Sequence, residues 1–166
     1  MTLILLSGRP GTGKTHFGQW LAQHRGFVWV EGDANPEWTS LLAVTTHDVA
    51  SHTRDRATAL GDQVVIEWGF PVRCLESVRL LRDAGFDAWW FDGEKKGARA
   101  GYIESHGDRD AAMVNYGAQT AAIDESLSVI WQFYGDHVVM TVTRDGRLGP
   151  EQVAAVVLDD NACAGH

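Results

Sequence analysis

Short apolar runs alternate with longer amphipathic stretches along nearly the whole chain. Leu3-Ile4-Leu5-Leu6, Phe27-Val28-Trp29-Val30, Val64-Val65-Ile66, Phe86 to Phe91 and Val138 to Val142 are continuous runs of the kind that form strands buried on both faces. Between them, apolar residues recur at helical spacing. Phe17, Trp20, Leu21 and His24 predict a helix that Gly26 closes. Asn35 then Pro36 reads as an N-cap with proline in the first turn, opening a helix over Glu37 to Ala43. A more polar helix is predicted from about Asp48 to Leu60, with Val49, Ala57 and Leu60 inward. Pro71 opens a helix carrying Leu75, Val78 and Leu81, and Glu94 to Ile103 forms a charged one. After a polar break over Ser105 to Asp110, Ile123, Leu127, Ile130, Trp131 and Tyr134 mark the clearest helix, which Gly135 ends. Asp145-Gly146 is a turn, and Pro150 starts a last helix with Val153, Val156 and Val157.

Strand–helix alternation of this kind predicts an α/β fold of three layers, a mostly parallel five-stranded sheet with helices on both faces. A chain of 166 residues suits one domain. It is expected over residues 1–158, with a polar, interrupted and mobile lid over about 94–113 and a loose tail over 159–166.

Composition narrows the classes. The net charge of −8 and pI near 5.2 argue against a nucleic-acid partner. Cys74 and Cys163 are the only cysteines; they make no metal-type cluster and suit a reduced, cytoplasmic setting. The first apolar run is short and lacks a basic flank, so no signal peptide is expected. No stretch is long enough to cross a bilayer, so no membrane partner is expected either. Seven tryptophans demand a large aromatic core or a stacking site.

One stretch carries specific chemistry. Gly8-Arg9-Pro10-Gly11-Thr12-Gly13-Lys14-Thr15 fits G-x-x-x-x-G-K-[ST], between the first strand and the first helix. Gly8, Gly11 and Gly13 let the backbone turn tightly around Pro10, so that the N–H groups of Gly11, Thr12, Gly13, Lys14 and Thr15 face phosphate oxygens. The helix N-terminus adds its positive dipole end. Lys14 supplies a point charge for the β- and γ-phosphates, and Thr15 offers a hydroxyl to Mg²⁺. The stretch predicts nucleoside triphosphate binding.

In an open parallel sheet, ligands sit beyond the carboxyl ends of the strands. Asp33, Glu67 and Asp92 follow the second, third and fourth strands. Asp33 is the first choice to orient or deprotonate an acceptor hydroxyl; capping the Pro36 helix is its equally open alternative. Glu67 follows its strand as a Walker B acid does, and is expected to bind Mg²⁺ or to act as the base in place of Asp33. Asp92 reads as a cap for the helix near Glu94. Lys95, Lys96, Arg99 and Arg109 lie in the lid segment, as a solvated face or as a source of charge for the transferring phosphoryl group. Trp38 and Trp68 stand near strand ends, open to stacking or to core packing. Arg54, Arg56 and Arg73 read as surface charges that could also hold an anionic acceptor. His106 and His137 lack metal spacing.

These features together resemble the small P-loop kinases, among them gluconate, shikimate, adenylylsulfate and chloramphenicol kinases and uncharacterised predicted relatives. The resemblance spans nearly the whole chain. It rests on Gly8 to Thr15, Glu31-Gly32-Asp33, Val64 to Pro71, Trp90-Phe91-Asp92-Gly93 with Arg99 beyond, and Gln119 with Ile123. It implies a sheet in the order 2-3-1-4-5, ATP with Mg²⁺, and γ-phosphoryl transfer to a hydroxyl of a small molecule. Asp33 then matches the acid that contacts the acceptor, and Arg99 the first lid arginine, which would bind the nucleotide. Ser105-His106 stands where many relatives have a second lid arginine, with Arg109 as its candidate substitute. Two other readings stay open: a nucleotide-dependent regulatory module without an acceptor, and a kinase of a nucleic-acid end or modified base.

Overall fold

The five apolar runs lie side by side as parallel strands, and a two-residue sixth adds antiparallel at one edge. The computed structural model describes residues 1–69 and 72–163, with side chains up to Leu158. In chain order the elements are β1 (Thr2–Gly8), α1 (Lys14–Arg25), β2 (Val28–Glu31), α2 (Pro36–Leu42), α3 (His47–Thr58), β3 (Gln63–Glu67), α4 (Leu75–Asp83) and β4 (Asp87–Gly93). Then follow α5 (Lys95–Glu104), α6 (Arg109–Glu125), α7 (Leu127–Tyr134), β5 (Val138–Thr143), β6 (Gly146–Arg147) and α8 (Pro150–Cys163). The sheet order is β2-β3-β1-β4-β5-β6, the expected arrangement with one short strand more.

Side chains alternate across a strand, so each strand feeds two cores. Leu3 and Leu5 of β1, Val64 and Ile66 of β3, and Trp90 of β4 join residues of α2, α3, α4, α6 and α7 on one face. Ile4, Leu6, Val65, Trp89 and Phe91 join residues of α1 and α8 on the other. The adjacent Trp89 and Trp90 thus anchor opposite faces. Trp38 and Trp68 are also buried in the first core, which removes them as stacking platforms.

Several boundaries differ from the sequence expectation. Thr46 accepts a hydrogen bond from the Val49 backbone and starts α3, which turns Ala50, Thr53 and Ala57 inward. Val49 and Leu60, expected inside, are exposed. The helix expected through Ile123 and Tyr134 is two helices parted at Ser126, although Ile123, Ile130 and Tyr134 still share the buried side. Helix α8 runs on through Asp159 to Cys163; the rest of the expected tail lies outside the described residues. So does Pro71; the described part of its helix is a 3-10 turn, Val72–Cys74, leading into α4. Among the described residues no helix is long and apolar enough to cross a membrane.

Candidate active site

Because β1, β3 and β4 are parallel neighbours, their carboxyl ends open together on one edge of the sheet. There the loop from Gly8 to Gly13 floors a cleft of about 1290 Å³. Two glycines are required by contact as well as by torsion. Gly8 has φ 145°, and a Cβ on it would collide with the Phe91 carbonyl; Gly11 has φ 77°, and a Cβ there would collide with the Ala98 carbonyl of α5. The loop is therefore wedged between β4 and α5. From β5, the Thr141 hydroxyl donates to the Thr12 carbonyl at 2.7 Å.

Lys14 is buried, and its Nζ donates to the Gly8 and Arg9 carbonyls at 3.2 and 3.1 Å. Burial lowers its pKa, opposed by the charges of Glu67 and Asp33. Thr15 Oγ1 donates to Glu67 Oε1 at 2.8 Å. The other carboxylate oxygen of Glu67 is buried without a hydrogen-bond partner. Burial raises the Glu67 pKa, while Lys14 and the Thr15 hydroxyl work against it. A bare carboxylate oxygen beside a hydroxyl is costly unless a cation completes it. The oxygen donors of Thr15 and Glu67 fit Mg²⁺, a hard ion that takes one or two protein ligands and otherwise waters and phosphates. Among the described residues no three His, Cys, Asp or Glu side chains gather as a cage for a metal.

Asp33 lines the same cleft, and its Oδ2 accepts the Gly69 N–H at 2.8 Å. The cap of α2 is instead Asn35, whose Oδ1 accepts from Glu37 N at 3.0 Å. Asp33 is thus held by a loop beyond β3 and faces the phosphate loop. Asp92 does not cap α5 as expected; Glu94 does, accepting from Gly97 N. Asp92 is buried, takes the Arg9 Nε at 2.9 Å and the Gly93 N–H at 2.8 Å on Oδ1, and takes the indoles of Trp90 and Trp131 on Oδ2. Arg9 also donates to Asp124 of α6 at 2.8 Å, and Asp124 pairs with Lys95 of α5. This network ties the loop to the helices above it.

The cleft gathers Lys14, Thr15, Asp33 and Glu67 but leaves Arg99 out. Arg99 is exposed on α5 and does not line the cleft. Two other arginines do, Arg73 and Arg147. Arg147 lies along the Gly97–Gly101 face of α5, donating to the Gly97 carbonyl at 3.3 Å. Its Nη1 is 3.9 Å from where a Cβ on Gly13 would stand. Sequence reasoning passed over it, although it follows the fifth strand, the one strand end left unread. His106 also lines the cleft; its ring packs 4.1 Å from that of Tyr102, and its Nδ1 meets the Tyr102 carbonyl at 2.7 Å.

The same architecture recurs in solved structures. A gluconokinase from Sinorhizobium meliloti 1021 matches at TM-score 0.56 and 14% identity, over 99% of this chain and 98% of its own. A sugar kinase from Janibacter sp. HTCC2649 matches at 0.57 and 19%, over 96% and 95%. A shikimate kinase from Bacteroides thetaiotaomicron matches at 0.52 and 15%, over 99% of both chains. The fold is that of the small P-loop kinases. At the level of sequence, no family model and no curated protein matches. A small P-loop kinase fold with this sheet order puts the cleft where its strands and glycine loop meet.

Proposed function

We propose that the protein is an ATP-dependent phosphotransferase that moves the γ-phosphoryl group to a hydroxyl of a small molecule. The observation that carries this reading is the convergence of Lys14, Thr15, Glu67 and Asp33 on one cleft over the glycine loop. The loop N–H groups and the α1 N-terminus bind the phosphates. Lys14 exchanges its two backbone carbonyls for phosphate oxygens. Thr15 and Glu67 would hold Mg²⁺, which neutralises charge on the phosphates when bound. Asp33 accepts the proton of the acceptor hydroxyl; its oxygen bonds to the γ-phosphorus, and the bond to the bridging oxygen breaks, releasing ADP. Arg147 stands beside the loop as a cation for the phosphates; Arg99, exposed on α5, keeps its expected nucleotide role through a swing of its side chain or of the helix. The cytoplasm, with ATP at hand and Cys74 unpaired, suits this activity.

The test incubates the protein with ATP, Mg²⁺ and a panel of alcohols, sugars, nucleosides and hydroxylated antibiotics. ADP release is expected to depend on an acceptor. Asp33→Asn is expected to lower kcat about 10²- to 10⁴-fold with ATP affinity retained. Acceptor-independent hydrolysis, or full activity in Asp33→Asn, rejects the reading.

The pH profile follows from burial. Ionised Glu67 and protonated Lys14 are the working forms, and burial disfavours both charges. The acid limb of kcat/KM for MgATP should therefore lie above the ordinary glutamate value, and the alkaline limb below the ordinary lysine value. An acid limb at the usual carboxylate pKa that survives in Glu67→Gln would show that Glu67 is not the titrating group.

A further inference from the structure

The cleft changes character away from the phosphate loop. Val72, Leu75, Ile123 and Val129 line the same cleft as Asp33, with Ser126 between the last two in the chain. Val72 and Leu75 pack against the same core as Ile123, so this wall is an outcrop of the first core rather than a chance patch. Val129 stands half exposed on α7 at the rim. One arginine, Arg73, shares this end of the cleft. Among the described residues Arg73 makes no ion pair, whereas Arg54 and Arg56 are held by Asp55 and Glu37 on the surface. Gln119 also lines the cleft, but its amide already donates to the Tyr102 hydroxyl at 3.4 Å.

This aliphatic stretch is a poor match for a polyol, to which it adds only the Ser126 hydroxyl and what remains of the Gln119 amide. Each buried hydroxyl of a bound sugar or sugar acid needs a hydrogen-bond partner, and an unpaired one costs more than the contact returns. Aliphatic walls supply none; they reward a ligand that is itself apolar. A lone arginine adds a fork for one carboxylate.

Resting on the phosphotransferase reading, we propose that the acceptor is a hydroxy acid with an apolar body. Its single alcohol lies at Asp33, its carboxylate at Arg73, and its hydrocarbon part against Val72, Leu75, Ile123 and Val129. The transfer is the one described above: the alcohol O–H breaks to Asp33, the new P–O bond forms, and ADP leaves.

The probes are 3-phenyllactate and mandelate, set against the polyhydroxy acids gluconate and shikimate. Calorimetry of each acid with the wild-type protein, with and without MgADP, measures binding independently of turnover. The aromatic hydroxy acids are expected to bind at least about tenfold more tightly than the polyhydroxy acids, the step that one missing or unpaired group gives. With ATP their kcat/KM should lead by a similar factor. Arg73→Ala and the rim variant Val129→Asp, both at exposed positions, should each weaken 3-phenyllactate binding about tenfold while MgATP affinity stays put. Equal or tighter binding of gluconate or shikimate, no binding of any of the four, or indifference to Arg73→Ala overturns the proposal. If MgATP fails to bind, the phosphotransferase reading falls and takes this proposal with it; MgATP binding with the acids ranked the other way overturns this proposal alone.

Discussion

Asp92→Ala is expected to lower the melting temperature by about 10 °C. The carboxylate and the Arg9 guanidinium are each 2% exposed and 2.9 Å apart. Removing one partner of a buried pair strands the other's charge and costs about 3–5 kcal/mol. In a domain of this size each kcal/mol moves the midpoint by roughly 2–4 °C. Asp124 remains near Arg9 but is a third exposed, so its attraction is screened and replaces little. The Trp131 indole and the Gly93 N–H lose their acceptor as well. The double change Arg9→Met with Asp92→Leu should recover most of the loss, because no charge is then left buried. Circular dichroism melts of the three proteins decide the matter: a single variant that melts with the wild type, or a double variant that melts lowest, means the pair does not anchor the loop.

Lys14→Ala is expected to reduce kcat/KM for MgATP by at least about 10³-fold, the scale on which loss of a single charge-stabilising group acts in a closed site. Lys14 lines the cleft, unlike Arg9, which is turned to Asp92 and Asp124, and its ammonium donates to two carbonyls of the loop itself. Lys14→Arg should fail to rescue, since a planar fork cannot occupy the place of a compact ammonium held by Gly8 and Arg9. Steady-state kinetics with any accepted alcohol measures both variants. Activity within tenfold of wild type in Lys14→Ala would remove the lysine from the chemistry.

The parts of the site that were legible in the sequence are the local ones. The phosphate loop is eight contiguous residues whose neighbours dictate strand before and helix after, so it is recognised without its distant partners, although Phe91, Ala98, Thr141 and Asp92 hold it in place. Asp33 and Glu67 could be located because parallel strands end on one edge. Asp92 could not be read that way. Its partner Arg9 lies 83 positions away, and a cap for the next helix looks the same locally. Arg147 and Arg99 show the same limit. Both follow a strand end in a polar stretch, and only the packing of α5 against the loop decides which one reaches the cleft. For the tryptophans the decision was one of depth: Trp38 and Trp68 end in the core because α2 and the loop after β3 fold over the sheet. In α3, Thr46 sets the start of the helix and so its phase, which is why Val49 faces out.

The proposed activity depends on the glycine loop holding a triphosphate. Isothermal titration of MgATP into the purified protein tests this most directly. The expected result is one site per chain with a dissociation constant below about 1 mM, in the range where enzymes hold their substrates, and loss of that heat in Lys14→Ala. A well-folded protein that gives no heat with millimolar MgATP, or gives the same heat without Lys14, contradicts the account.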